Sequence, residues 1–292
     1  MTDIAPAPEA RTATPRRASA ARLPNPARLL AAQVSYQIRQ LLANGRTVVI
    51  GIGLPVILLI ASKGKGSPPD VAGYAAFGLT ITAWASYGVR LVAARESGLL
   101  KRWRASPLPR WCYFTGAILA TTLTAVIAGA VAVAVAVLLW GTHFDAGPSI
   151  QLTGRGAAAV LIVFILAALA WASAATAITS LIPSVEAAFP TLTLIYFPLV
   201  IVSGVLFSIS EPHWLTTLVS YLPAQPMINA ATNAVHHGPG VPFIPGRDVA
   251  ILAGWAAGGL LVTVLTFRWD PHRPRGHAGT RPTTMTSVTA QP

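Results

Sequence analysis

The chain has 292 residues, of which 53% are hydrophobic and only 10% charged, with a net charge of +12. A soluble domain carries roughly 25% charged residues; here the charges gather into short stretches, between which the chain is nearly charge-free for about 20 residues, the length of helix that crosses a bilayer core. These features exclude a soluble globular domain. The basic residues flank apolar runs rather than forming a patch, which argues against nucleic acid as a partner, and the single Cys112 excludes an intramolecular disulfide framework.

Residues 1–25 are rich in Ala, Pro and Arg and read as a disordered tail. They lack the apolar stretch of a secretory signal. Their arginines and serine leave an organelle transit peptide open, with Asp3 and Glu9 counting against it. Residues 26–44 read as an amphipathic helix. Leu30, Val34, Ile38 and Leu41 or Leu42 recur at helical spacing, with Gln33, Gln37, Arg39 and Gln40 between them. An apolar stripe with a polar back suits a helix lying at a membrane interface. Packing on a soluble core is the alternative, and the adjoining span disfavours it. Asn44-Gly45 supplies a helix stop.

Six spans follow, at about 46–62, 71–94, 113–140, 157–182, 186–209 and 249–268. Gly51, Gly53 and Pro55 are expected to kink the first. Arg90 lies near the end of the second. A mid-bilayer arginine costs roughly 2.5–3.5 kcal/mol, so Arg90 either reaches the interface or lines an inner vestibule, for which Glu186 is the other candidate. The third span is longer than a bilayer requires and must tilt or project. Pro183-Ser184 breaks the chain between the fourth and fifth spans, and Pro190 and Pro198 interrupt the fifth. In 210–248, six prolines break up the apolar residues, and Trp214 and Tyr221 suit a membrane interface. We read 212–235 as one or two short helices dipping into the outer leaflet, with Pro212, Trp214, Pro223 and Pro226 as candidate elements of an outer gate. Residues 269–292 are basic and rich in Pro and Thr, a second tail taken as disordered from 271.

Seventeen of the 21 lysines and arginines fall in the N-terminal segment, around the loop after the second span, or in the C-terminal segment. The other four are Lys63, Lys65, Arg155 and Arg247. The positive-inside rule therefore predicts that both termini are cytoplasmic, in keeping with an even number of spans.

No phosphate-binding G-x-x-x-x-G-K-[ST] loop is present, so ATP binding by that mode is not expected of this chain. No H-E-x-x-H or C-x-x-C occurs. His236-His237 reads as a solvated pair rather than a metal site, because adjacent residues on a helix face different ways. Ionisable groups near the middle of the spans are scarce, which argues against coupling to an ion gradient and for energy supplied from outside the chain. No catalytic constellation is visible. Gly254 and Gly258 have the spacing of a helix-packing motif, for which chance is the better explanation in a chain this rich in Gly and Ala.

The most informative stretch runs from Arg95 to Arg110. It reads as a short basic helix stopped by Pro107, with Leu99, Leu100 and Trp103 on one face and Lys101, Arg102 and Arg104 on the rest. On physical grounds it is either a positively charged anchor or an element that docks into a groove of a soluble partner. Its pattern, E-x-G-x-L-K-R-x-R-x-S-P-L-P-R from Glu96, resembles the cytoplasmic loop of type-two ABC transporter permeases, closest to the bacterial drug-resistance exporter branch. Three further stretches are similar to that family: Ser184-Val185-Glu186-Ala187, the run from Phe189-Pro190 through Pro198 to Phe207, and Pro212-x-Trp214-Leu215 with Pro223-x-x-Pro226. The resemblance covers about 26–270. The family often has an Asn-Pro pair and a later basic residue in the outer hairpin, where this chain has Pro223-Ala224-Gln225-Pro226 and Asn233 to His236.

The resemblance implies an all-α transmembrane domain at 26–270 with an interfacial N-terminal helix, six spans and a re-entrant hairpin before the sixth. It implies two permease chains, identical or different, paired with two ATPase subunits that bind ATP and magnesium, in the bacterial plasma membrane. Glu96, Gly98, Leu99, Leu100, Lys101, Arg102, Arg104 and Pro107 would then form the loop contacting the ATPase, with Glu96 pairing with a basic residue there or capping the loop helix. The cargo would be a hydrophobic or amphipathic compound, a drug, an antibiotic or lipid-like, moving among membrane lipids along a path lined by spans one, two and five. Two other readings stand beside this one. A secondary transporter or channel would work from an ion gradient without an ATPase. A non-transporting assembly or immunity protein would leave cargo distribution unchanged on deletion.

Overall fold

The computed structural model describes residues 25–43, 45–62, 71–99, 110–140, 154–202, 213–235 and 244–266. The tails, apart from Asn25, lie outside them. So do Asn44, the His236-His237 pair, Leu100, Lys101, Arg102, Arg104 and Pro107 of the docking loop, and Pro212 of the outer gate. The described residues are almost wholly helical, and no strand occurs among them.

Helix α1 spans Pro26–Ala43. Helix α2 is continuous through Gly45–Val48, a π-helical Val49–Gly53 and Leu54–Ser62. Helix α3 runs through Val71–Ile81, a π-helical Thr82–Ser86 and Tyr87–Glu96. Helices α4, Arg110–Trp140, α5, Gly154–Thr179, and α6, Val185–Val202, follow. Two short helices, α7 His213–Val219 and α8 Ala224–Val235, precede α9, Gly246–Thr266. Each of the six stretches expected to span is thus helical over its described residues, except that the fourth ends at Thr179 and 180–182 form the turn after it. Cys112–Trp140, Gly154–Thr179 and Val185–Val202 are long and apolar enough to cross a membrane, and Val49–Ser62 is a shorter apolar helix.

The expected kink in α2 takes the form of a π turn. The Leu54 N–H donates to the Val49 carbonyl five residues back. Widening the turn immediately before Pro55 accommodates a residue that has no N–H to give and whose ring crowds the preceding turn. No proline accounts for the second π turn, at Thr82–Ser86. It carries Trp84, whose indole donates to the Leu192 carbonyl of α6 at 2.9 Å.

Helix α5 is the centre of the bundle. In its most apolar stretch 61% of residues are buried, against 22% in α6. Ala167, Ala168, Ala170, Ala172 and Ala175 are all inaccessible, and small residues let neighbouring backbones come close. Gly259 of α9 shows how close. A Cβ there would meet the Ser173 backbone carbon at 2.8 Å and the Ala174 nitrogen at 2.9 Å. Gly254 and Gly258, the motif pair, meet nothing within 4 Å; the tight crossing uses the next glycine instead. Around α5 stands an aromatic core in which Trp84 and Trp171 meet edge to face at 5.6 Å between ring centroids, with Tyr196 at 6.5 Å from Trp171. On the outer side of α6, Phe189, Leu194, Phe197 and Ile201 remain exposed.

Helix α1 is amphipathic as expected, and it packs on the bundle through part of its polar side. Gln33, Gln37 and Leu41 are its buried residues, whereas Leu42 is 58% exposed and Leu30, Val34 and Ile38 are only half-buried. The polar side lies on α4. There Gly116 leaves room for Gln33, whose Cγ would lie 2.5 Å from any added Cβ. The partly exposed apolar side is the one that would meet hydrocarbon if α1 lay at an interface.

Candidate functional site

Helix α3 ends where the docking loop begins, and its last two residues tie that end to another part of the chain. Arg95 is 2% exposed. Its Nη1 donates to the carbonyls of Thr179 at 3.0 Å and Ser180 at 3.5 Å, and its Nη2 to that of Ile182. These carbonyls belong to the C-terminal end of α5 and the turn after it, where a helix has acceptors without partners of its own. A cation there also meets the negative end of the helix dipole.

Glu96, exposed and next in sequence, serves the start of the following helix. Its Oε2 accepts the Val185 N–H of α6 at 2.8 Å. Ser184 completes that terminus, its Oγ accepting the Ala187 N–H at 3.3 Å. Helices need such acceptors because their first N–H groups have no partner within the helix. Glu96 therefore lies in the final turn of α3 and caps α6, rather than opening a loop helix of its own. Glu186 sits exposed in the first turn of α6, where a carboxylate also suits the helix dipole. Arg95 and Glu96 together clamp the Pro183-Ser184 reversal, one on each side of it.

Gly98 then turns the chain out of the helix at φ +71°, the only positive φ among the described residues. Nothing lies within 4 Å of where its Cβ would be, so the demand for glycine is conformational rather than steric. The turn is closed by the Ser97 N–H to the Ala93 carbonyl at 2.9 Å and the Gly98 N–H to the Arg95 carbonyl at 3.2 Å. Leu99, half-buried, is the last described residue before the loop.

Arg90 sits well back along α3. Its Nε donates to the Ser86 carbonyl and its Nη2 to Thr121 Oγ1, each at 3.3 Å, and its guanidinium lies 5.9 Å from the Tyr87 ring centroid. It lines a cavity of about 390 Å³ that α1, α3 and α4 enclose. Glu186, the other residue read as a vestibule candidate, is not among its lining residues.

At the outer-gate candidates, α7 and α8 form a helical hairpin whose turn is closed by the Tyr221 N–H to Leu218 and the Leu222 N–H to Val219. Trp214 of α7 is 68% exposed, whereas Pro223 and Pro226 are buried. Pro226 is tolerated because it lies in the first turn of α8, where no intrahelical N–H is required. The tip of the hairpin rests against α9. Trp255 Nε1 donates to the Tyr221 carbonyl at 2.8 Å, and Arg247 reaches Ser220 Oγ at 2.8 Å and lies over the Tyr221 ring at 5.3 Å.

The description "ABC-2 family transporter protein" matches residues 13–267. The chain belongs to this family. It is thus a multi-pass membrane protein and a membrane subunit of an ABC transporter, a permease. No curated protein matches the chain.

Sequence reasoning picked Glu96 and Gly98 in the permease but counted Arg95 only as a topological charge. The available signal was its place beside Glu96 at a helix end, together with the Pro183-Ser184 break that leaves two helix termini needing partners. The polar residues around Arg90, namely Gln37, Tyr87, Tyr113 and Thr121, carried no comparable signal. They come from three helices separated in sequence.

Proposed function

We propose that this permease is half of the membrane domain of an ATP-driven exporter of the bacterial drug-resistance type. In this reading six spans cross the plasma membrane, both termini are cytoplasmic, and 212–235 is re-entrant from the outside. Two permease chains, identical or not, pair with two ATPase subunits that carry the ATP and magnesium. The cargo is a hydrophobic or amphipathic compound.

The observation that carries the proposal is the Arg95–Glu96 clamp. A loop that only anchored a helix by its charge would need no fixed link to a distant turn. Here Arg95 and Glu96, at the end of α3, grip the α5–α6 turn through the Thr179, Ser180 and Ile182 carbonyls and the Val185 N–H. A push on the loop by a closing ATPase would move α3 and the start of α6 together. The exposed apolar side of α6 and the scarcity of charge along the helices suit the wall of a path for amphipathic molecules.

Gentle affinity purification from the native membrane tests this reading. The expected result is a stoichiometric partner with a phosphate loop and vanadate-sensitive ATP hydrolysis. Glu96→Ala and Leu99→Ala are expected to lower cargo-stimulated hydrolysis while the complex stays assembled. A chain recovered without an ATPase, from membranes in which other such complexes survive, would overturn the proposal. Transport by the chain alone in vesicles bearing an ion gradient would replace it with a secondary transporter.

A further inference from the structure

The cavity that holds Arg90 has a chemistry the permease reading does not require. Gln37 and Gln40 enter it from α1, Tyr87 and Arg90 from α3, Leu99 from the segment just after α3, and Tyr113 from α4. Guanidinium, amide and phenol groups therefore share one space of about 390 Å³, and among the described residues no Asp or Glu lines it. Arginine carries five N–H donors and is always charged. Arg90 makes two hydrogen bonds, both at 3.3 Å and both to neutral acceptors, and among the described residues no carboxylate pairs with it. Such long contacts to neutral oxygens, with the Tyr87 ring 5.9 Å away, leave much of a guanidinium's bonding capacity unused and its charge without a counter-anion among the described residues. One turn along α1 from Gln37, the Gln33 side-chain nitrogen is buried without a hydrogen-bond partner among the described residues. The buried glutamine face of α1 thus adds donors to a region already rich in them.

We propose that this cavity recognises the anionic headgroup, phosphate or carboxylate, of an amphipathic cargo, with Arg90 as its counter-cation. The inference rests on the permease reading and names the class of cargo within it. Charge complementarity supplies the headgroup. The half-buried apolar residues of α1 beside the cavity supply a route for the tail from the lipid. Ser97 and Leu99 line the same cavity, flanking Gly98 where the chain leaves for the loop. A bound headgroup therefore touches the segment that meets the ATPase, so that cargo binding stimulates hydrolysis.

The test uses the full-length chain in nanodiscs of uncharged lipid, with three probes: dodecyl phosphate, dodecyl maltoside and inorganic phosphate. Dodecyl phosphate is expected to bind at least about tenfold more tightly than dodecyl maltoside, the scale of one good charge-assisted contact. Arg90→Gln is expected to abolish that preference and Arg90→Lys to keep part of it. Gln40→Glu, on the exposed side of α1, places a competing carboxylate in the cavity and is expected to weaken dodecyl phosphate binding even if Arg90→Gln fails to fold. Equal affinity for the two detergents, or an unchanged preference in both Arg90→Gln and Gln40→Glu, would overturn the proposal. Inorganic phosphate binding as tightly as dodecyl phosphate would overturn the amphiphile assignment in favour of a soluble anion. None of these measurements needs an ATPase. A chain that discriminates between the detergents but recruits no ATPase would defeat the permease reading alone, whereas a complex that transports without discriminating headgroup charge would defeat the cavity alone.

Discussion

Two reversals of the chain, each marked by a proline, are held in opposite ways. The α5–α6 turn around Pro183 is gripped by a buried arginine and a neighbouring glutamate from α3, both bonding to backbone. The α7–α8 turn before Pro223 is held by side chains of α9 at an exposed surface, with Tyr221 58% and Trp255 38% accessible. In the first, a buried guanidinium that cannot be left unpaired fixes the geometry, with the exposed Glu96 adding a cap on the other side of the turn. In the second, every group has water or a lipid headgroup as an alternative partner. The first turn should therefore behave as one rigid piece with α3, and the second should move at small cost. A permease that takes force at one place and opens at another needs that difference.

The largest effect is expected at Arg95. Arg95→Leu removes the guanidinium's hydrogen bonds to the Thr179 and Ile182 carbonyls, the first of which keeps only the Ile182 N–H at 3.3 Å, and hydrogen bonds to a charged group are worth about 1.5–3 kcal/mol each. A loss of about 3 kcal/mol is expected, read as a marked fall in the unfolding midpoint of the purified chain, with Arg95→Lys recovering part of it. A midpoint within error of the unmodified chain would break the comparison.

Gly98→Ala comes next. Forcing an alanine to φ +71° costs about 1–2 kcal/mol, and since nothing crowds the site the cost is expected to appear as a redirected loop. The expected readout is weaker ATPase stimulation by cargo, with a smaller change in the unfolding midpoint than Arg95→Leu gives. The smallest effect is expected at the hairpin. Arg247→Ala removes one exposed hydrogen bond and one exposed cation–π contact, about 0.5–1 kcal/mol. Faster amide exchange in α7 with an unchanged global midpoint is the expected result. A global loss as large as that of Arg95→Leu would show that the two turns are held alike.

Much of the architecture could be read from residue order because the bilayer imposes a length scale on apolar runs. The six stretches expected to span are helices, and the hairpin at 212–235 resolves into α7 and α8 over its described residues. What failed to show in the sequence had specific causes. That Gln33 and Gln37 of α1 bury against α4 did not show in the sequence, because hydropathy does not say which side of an interfacial helix meets protein and which meets lipid. The close crossing of α9 on α5 is made by Gly259 rather than by the Gly254–Gly258 pair, since contact depends on how α9 is rotated about its axis, which spacing does not encode.

The amino-acid sequence by itself determined that this chain lives in a membrane, that it is helical, where its helices begin and end to within a few residues, and which family it resembles. These follow from local composition and short motifs, properties of neighbouring residues. The tertiary structure alone decided that Arg95 and Glu96 close the turn at Pro183, and that Arg90, Gln37 and Tyr113 share one cavity. Those groupings join residues from tens to nearly ninety positions apart, and only the packing of α1, α3, α4, α5 and α6 determines which unpaired backbone group or unbalanced charge each polar side chain meets.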